Sequence, residues 1–428
     1  MTARIKSIDG NRVTLELTIE LGETMLSSEE AIQSGLNDSG QELTTVALKA
    51  FDTKGSPIEH DGQLWRTKGL QPKKYQTSYG EVSIDRHVYQ RSGGGKTFCP
   101  MEEAARIILT ATPHFCRQIG WKMAYGGARD VQRDLLNHGR DLQVSTIQRI
   151  SETLSSVVQA REEDWDYAPP ETLPDAVHTV SVGLDGTCML MCERHWREAM
   201  TGTIALYNQA GKRLYTMYLG ATPESGKTTF LARLTREIER MKGRYPQAAF
   251  VGVADGAQTN WDYLKNHVSV QILDFYHASG YLSAAATAAY PKKKDQQKRY
   301  FWLKEMCHQL KHSAGAAQQL LKVMKTLQQD DSLSKDQHKD LQKSVTYFEN
   351  HKQQMDYSHY QQQQYPIGSG VTEAACKILI KQRFCRAGMR WKDKGAKVIL
   401  SLRELALTPI RWQQFWSNID TQGVTANA

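Results

Sequence analysis

Val177-His178-Thr179-Val180-Ser181-Val182-Gly183-Leu184-Asp185 is a β-branched run that ends on a carboxylate. Such residues fit the pleated, half-buried surface of a strand, so a first strand is expected here with Asp185 at its end. Downstream, residues 201–208 and 213–219 flank Gln209-Ala210-Gly211-Lys212 as a hairpin pair. Residues 230–241 carry apolar side chains at helical spacing, and residues 248–254 form an apolar strand running straight into Asp255. A short helix over 259–266 and a fifth strand over 268–273, ending at Asp274, complete the series. The resulting order is β, β, β, α, β, α, β: an antiparallel meander followed by two strands joined in parallel through helices.

That is the order of an α/β fold with an RNase H-like mixed sheet, expected over residues 175–279 and 366–411. Residues 280–365 are helix-rich and polar, with Phe301, Met306, Leu310, Leu320, Met324 and Leu327 as an apolar stripe, and are expected to be an all-helical insertion. After it a helix opens near Gly370 and runs through Glu373, Lys377 and Lys381 toward Phe384. Upstream, residues 1–100 read as a small α+β region and residues 101–165 as a helical, helix-turn-helix-like DNA-binding region. In the latter, Asn137-His138-Gly139 breaks one helix, and Ser145 is a good N-cap for a second bearing Ile147, Ile150, Leu154 and Val157. Thr146, Gln148 and Arg149 would then face outward near the N-terminus of a recognition helix. Most such helix pairs are ordinary packing units.

Three acids fall where chemistry can use them. Asp185 on the first strand and Asp255 after the fourth lie on neighbouring strands of such a sheet, and Glu373 occupies the first turn of the returning helix. Carboxylates converging from different elements are the oxygen ligands that hard divalent cations require. Two such ions about 3.5 to 4 Å apart serve phosphodiester cleavage and strand transfer. Any single one of these acids, Asp-Gly turns included, is more often structural; the set of three is the signal.

Leu184-Asp185-Gly186, Val253-Ala254-Asp255-Gly256 and Asp274-Phe275-Tyr276-His277 are three motifs in a row. The fourth is Pro366-Ile-Gly-Ser-Gly-Val-Thr-Glu-Ala-Ala-Cys-Lys377, followed by Gln382-Arg-Phe-Cys-Arg-Ala-Gly-Met-Arg-Trp391. Together they resemble the bacterial insertion-sequence DDE transposases of the ISKra group over roughly residues 70 to 410. The resemblance implies an RNase H-like catalytic domain with a helical insertion, the triad Asp185, Asp255 and Glu373 as catalytic and metal-binding residues, and two Mg2+ ions for which Mn2+ substitutes. Asp274 and His277 match a D-x-x-H signature and are expected to support the site. The expected partners are double-stranded DNA, as transposon end repeats and target DNA, and further copies of the chain in a DNA-bound homo-oligomer. A Cys-x-x-Cys pair common in that group has no counterpart in the stretch 89–100.

Charge agrees with a polyanionic partner. The net charge of +8 is concentrated after residue 279, where 23 Lys and Arg face 12 Asp and Glu. Between Lys377 and Arg411 ten basic residues face only Asp393 and Glu404. Lys377, Lys381, Arg383, Arg386, Arg390 and Lys392, with Trp391, are therefore expected to contact DNA beside the carboxylates; a solvated helix face would look similar. The 428 residues, 40% hydrophobic and 23% charged, contain no apolar run of eighteen or more residues, and the opening stretch Met1 to Gly10 lacks the apolar core expected of a secretory signal. Seven cysteines without paired spacing suit reduced thiols, and Cys188, Cys192 and His195 lack the spacing of a zinc knuckle. A cytoplasmic, nucleoid-associated bacterial protein is expected. Two other readings stay open. Ala221-Thr-Pro-Glu-Ser-Gly-Lys-Thr228 fits a relaxed Walker A pattern for a P-loop ATPase, although Pro223 removes a donor and Glu224 adds charge where phosphates would lie. A transposase-derived DNA-binding protein without catalysis is the other.

Overall fold

Alternating apolar residues at the chain start pair β1 (Thr2–Asp9) with β2 (Arg12–Thr18) as an antiparallel hairpin. The computed structural model describes residues 2–193 and 195–424. Two compact units are distinguished: Met1–Ala168 with Val398–Ala406 and Ile410–Ala428, and Pro169–Lys397 with Leu407–Pro409.

In the first unit α1 (Met25–Ala50) opens on a capping box between Thr24 and Ser27. An antiparallel sheet follows, β3 (Ile58–His60), β4 (Gln63–Gln76) and β5 (Glu81–Arg91), and then the short α2 (Pro100–Ala104). Tyr75, Ile84 and Met101 are fully buried between them. Beside this core Glu102 accepts from Lys73 Nζ, Tyr75 Oη and Arg86 Nε at 2.6, 2.6 and 3.3 Å. Next come α3 (Pro113–Tyr125), α4 (Ala128–Asn137) and α5 (Val144–Ala160). Of the expected stripe, Ile147, Ile150 and Leu154 are fully buried, whereas Val157 is half-buried and Val158 takes the buried position instead. The cap also differs from the one expected: it falls two residues earlier, at Gln143, and Ser145 lies exposed in the first turn. The six-residue link from α4 to α5 is tied down by Arg140, whose guanidinium donates to Thr77 O and Gln76 Oε1.

The second unit is mixed α/β. Its strands are β6 (Thr179–Met191), β7 (His195–Tyr207), β8 (Arg213–Ala221), β9 (Ala249–Ala254) and β10 (Val270–Leu273). Helix α6 (Thr228–Arg244) precedes β9, and α7 (Gln258–Leu264) precedes β10. Spatially the order is β10-β9-β6-β7-β8; β6, β7 and β8 are antiparallel neighbours, whereas β9 runs parallel to both β6 and β10. The order of elements is the one expected, but the first strand does not stop at Asp185. Beyond Val182 it leaves β9 and continues along β7 as a two-stranded arm reaching Met191 opposite His195, where its tip also bridges Trp391.

Between β10 and the returning helix lie α8 (Phe275–Ala289), α9 (Gln296–His312), α10 (Ala316–Leu327), α11 (Lys335–His351) and α12 (Tyr357–Gln362). Leu282, Leu310, Leu320, Met324 and Phe348 join the sheet's own core. Phe301, expected in that stripe, is instead 57% exposed. The returning helix α13 (Gly370–Ala375) passes through a π-helical turn (Cys376–Lys381) into α14 (Gln382–Phe384). Helices α15 (Asp393–Leu407) and α16 (Arg411–Gln422) complete the chain. Among the described residues no helix is long and apolar enough to cross a membrane.

Candidate active site

Register sets three aspartates side by side. Val182 on β6 pairs with Gly252 on the parallel β9, and Leu273 on β10 pairs with Ala254. Asp185 and Asp255 each lie three residues past the Val182–Gly252 pair, and Asp274 follows the Leu273–Ala254 pair directly. All three therefore reach the same end of the sheet on adjacent strands. Asn260 on α7 ties this edge together by donating Nδ2 to Leu184 O at 3.3 Å. At Gly256 the backbone takes φ +107°, which side-chain-bearing residues rarely adopt, and this turns the chain sharply after Asp255.

The fourth acid arrives on α13. That helix packs on β6 and β7 closely enough that a Cβ at Gly183 would come within 2.1 Å of Thr372 Oγ1. Gly183 thus admits the helix, and Thr372 hydrogen-bonds Thr203 at 2.8 Å across the contact. Glu373 is exposed in the first turn, where a carboxylate also suits the helix dipole. Its Oε1 lies 3.6 Å from His277 Nε2 and 3.2 Å from Ser369 Oγ. Asp274, fully buried, accepts from the backbone N–H groups of Tyr276 and His277 as the N-cap of α8, and from both N–H and Oγ of Ser369. A chain of contacts from Asp274 through Ser369 to Glu373 and His277 results.

The acids repel one another. Burial raises the Asp185 carboxyl above its ordinary value; the negative charges of Asp255 and Glu373 push the same way, while the Gly186 N–H and the Cys376 thiol oppose. Cys376 Sγ stands 3.5 Å from Asp185 Oδ2. Burial and that neighbouring charge push the thiol up to about 12, so it remains a neutral donor. Asp185, Thr187, His277, Glu373, Cys376, Lys377, Lys381 and Gln382 line a cavity of about 580 Å³. Asp255 is not part of that lining; its Oδ1 accepts from Ala257 N, and its carbonyl accepts from Tyr347 Oη at 2.8 Å. Among the described residues no three His, Cys, Asp or Glu side chains stand close enough to hold an ion as placed. Ser369, Cys376 and Tyr347 are additions to the residues expected from sequence. The first two flank Glu373 at four residues before and three after, the spacing of one helix face.

The basic stretch divides. Lys377 and Lys381 line the cavity, and Arg386, Arg390 and Lys392 are exposed. Arg383 is not available to a phosphate: it is 2% exposed, with its guanidinium 5.1 Å above the Trp391 ring. Trp391 is likewise engaged internally. Its Nε1 donates to Phe384 O at 3.0 Å, and its backbone exchanges hydrogen bonds with the β6–β7 arm at Leu190 and Cys192. In the first unit Gln148 and Arg149 are exposed on α5 and Thr146 is half-buried.

The loop of residues 221–228 is not built for a nucleotide. It follows β8, an edge strand antiparallel to its only neighbour, whereas a P-loop follows a strand of a parallel sheet. Glu224 Oε1 accepts from Phe230 N at 2.7 Å, filling the helix N-terminus where phosphates would bind, and Lys227 pairs with Glu198 at 2.9 Å. Comparison with known proteins finds no matching family model and no matching curated protein.

Proposed function

We propose that this chain is a DNA transposase with an RNase H-like catalytic domain, cleaving and joining DNA at the ends of an insertion sequence. The observation that carries the reading is the gathering of Asp185, Asp255 and Glu373 at one end of a β10-β9-β6-β7-β8 sheet, with exposed lysines beside them. The donor set suits Mg2+ or Mn2+: every ligand is a hard carboxylate oxygen, and the Asp185 carboxyl, raised chiefly by burial and further by the charges of Asp255 and Glu373, is one whose ionised form a cation would favour. Asp185, Asp255 and Glu373 would hold two ions. Bound there, the ions supply Lewis-acid activation of the attacking oxygen and charge stabilisation at the leaving oxygen.

The chain's own groups do the rest. Asp274 holds Ser369 and the start of α8, and with the one Ser369 hydroxyl proton given to Asp274 it is His277 that limits where the Glu373 carboxylate can swing. The Cys376 thiol fixes one oxygen of Asp185 and leaves the other to the Gly186 N–H. Lys377 and Lys381 attract the phosphate backbone to a cavity whose floor is acidic. Arg386, Arg390 and Lys392 extend that attraction along the duplex.

The deciding experiment is cleavage and strand transfer on DNA carrying the element's own ends, with Mg2+ or Mn2+, for the wild type and for Asp185→Asn, Asp255→Asn and Glu373→Gln. Binding is measured in parallel with Ca2+. The expected result is chemistry in the wild type, none in the three variants, and DNA affinity equal or higher in all of them. A variant with wild-type joining rates removes that acid from the site.

A further inference from the structure

We propose that the outward face of α9, with the lysine run leading into it, is a second nucleic-acid contact that holds an unpaired strand by stacking. Residues 292–305 carry Lys292, Lys293, Lys294, Lys298, Arg299 and Lys304 against two acids, Asp295 and Glu305. The five lysines are exposed, and none of the six cations is in an ion pair among the described residues. This concentration lies on the helical insertion, away in sequence from the basic stretch after Glu373.

Rings are interleaved with those charges. Tyr300 and Phe301 are 60% and 57% exposed, their centroids 5.7 Å apart at 69°. Along a helix, residues 297, 300, 301, 304 and 308 share one face. Further along it His308 and His312 are both exposed, their rings 4.7 Å apart. The opposite face of α9 is the one that packs, since Met306 and Leu310 are buried. The aromatic stripe is therefore not core: two large apolar rings stand in water among cations.

The choice of occupant follows from what each candidate offers. A second copy docking through a two-fold axis would bring six cations and the two acids Asp295 and Glu305 against the same set, a net +4 against +4 that costs Coulomb energy. Duplex DNA offers phosphates but keeps its base faces inside the stack. An unpaired strand offers both phosphates for the lysines and π-faces for Tyr300, Phe301 and the histidines, and stacking of this kind contributes about 1–3 kcal/mol per base. The inference takes the class of ligand from the proposed function and is independent of the carboxylate chemistry.

The test uses the full-length protein without divalent metal. A labelled oligo-dT of roughly 12 nucleotides and a duplex of equal length are titrated by fluorescence anisotropy across a range of salt. Tyr300→Ala with Phe301→Ala should weaken single-strand binding at least about 10-fold, leave the salt slope in place, and change duplex binding by less than about twofold. Lys298→Gln with Lys304→Gln should lower the single-strand salt slope by roughly 0.7 per residue. Equal losses on both DNAs would reassign the face to duplex phosphates. A shift in sedimentation mass in the aromatic variant would reassign it to a second copy. No change in either DNA, with an unaltered circular dichroism spectrum, leaves only a solvated face; any of these three results overturns the proposal. Asp185→Asn should keep full single-strand binding, so a failure of the catalytic reading alone would show as intact binding here with no DNA cleavage by the wild type.

Discussion

The ends of β9 and β10 look alike in sequence and differ in physics. Each is an apolar parallel strand running into an aspartate, and the two strands are neighbours. Asp274 is fully buried and accepts four hydrogen bonds, from Tyr276, His277 and twice from Ser369. Asp255 is half-exposed, and its carboxylate accepts one, from Ala257. A carboxylate whose lone pairs are used is part of the scaffold, whereas one with lone pairs to spare, beside other acids, can take a cation. The difference lies in the loops that follow: β10 leads into a helix whose N-terminus turns back on the acid, while β9 leads into Asp255-Gly256, where the chain turns away.

Exchanging each acid for its amide tests that contrast most strongly at Asp255. Asp255→Asn should reduce metal-dependent DNA joining by more than about 100-fold, beyond the loss typical of residues that merely orient ligands. Its melting temperature should stay level or rise slightly, because a like charge leaves the neighbourhood of Asp185. Thermal unfolding by circular dichroism and a joining assay on the same preparation decide it; a marked fall in melting temperature would place Asp255 with the scaffold acids.

Asp274→Ala should show the reverse order of effects. It removes an N-cap, a loss of about 1 kcal/mol, and strands buried donors of Ser369 at about 1–3 kcal/mol. A loss of roughly 2–4 kcal/mol in a denaturant titration is expected. Wild-type stability with lost activity would instead make Asp274 a metal ligand.

Much of this contrast was out of reach of sequence. The strand order was legible because β-branched runs, Asp-Gly turns and amphipathic helices alternate with little ambiguity between residues 177 and 274. The acids were legible as positions, since register follows from strand order. What each acid touches was not: Ser369 lies 95 residues from Asp274, and Cys376 lies 191 from Asp185. The end of β6 was missed because Asp185-Gly186 reads as a turn, whereas the strand keeps its pairing with β7 through that dipeptide. Arg383 was misassigned for a different reason. Net charge treats the basic residues as one outward set, yet Arg383 stands seven residues after Cys376, four after Leu379 and three after Ile380, which is the spacing of the buried stripe. Arg383 therefore falls on the buried side, while Lys377 and Lys381, both within the π-helical turn, are exposed.

His277 sharpens the comparison from between the two aspartates. Its backbone N–H belongs to the Asp274 cap, and its ring faces Glu373. His277→Ala keeps the first role and loses the second. Joining should fall roughly 10- to 100-fold with the fold intact. Complete loss would move the imidazole into the catalytic set, and no loss would make the 3.6 Å approach to Glu373 incidental.

The smallest effect is expected at the end of β8, where Glu224 repeats the arrangement of Asp274 in a weaker form. Its carboxylate caps α6 at Phe230 N, so the helix N-terminus that a P-loop would offer to phosphates already holds an anion. A nucleotide would have to displace that carboxylate and also separate Lys227 from Glu198, with no parallel strand behind the loop to orient it. Lys227→Ala should therefore leave DNA joining unchanged. The Lys227–Glu198 pair is itself 31% and 51% exposed, so water screens it and its loss should alter stability by less than about 0.5 kcal/mol. Isothermal titration with ATP and Mg2+ separates the two views of this loop. Heat of binding in the wild type that disappears in Lys227→Ala would show that Glu224 yields to phosphate, and that a capped helix end is no safer a sign of scaffold than the saturated Asp274 it resembles.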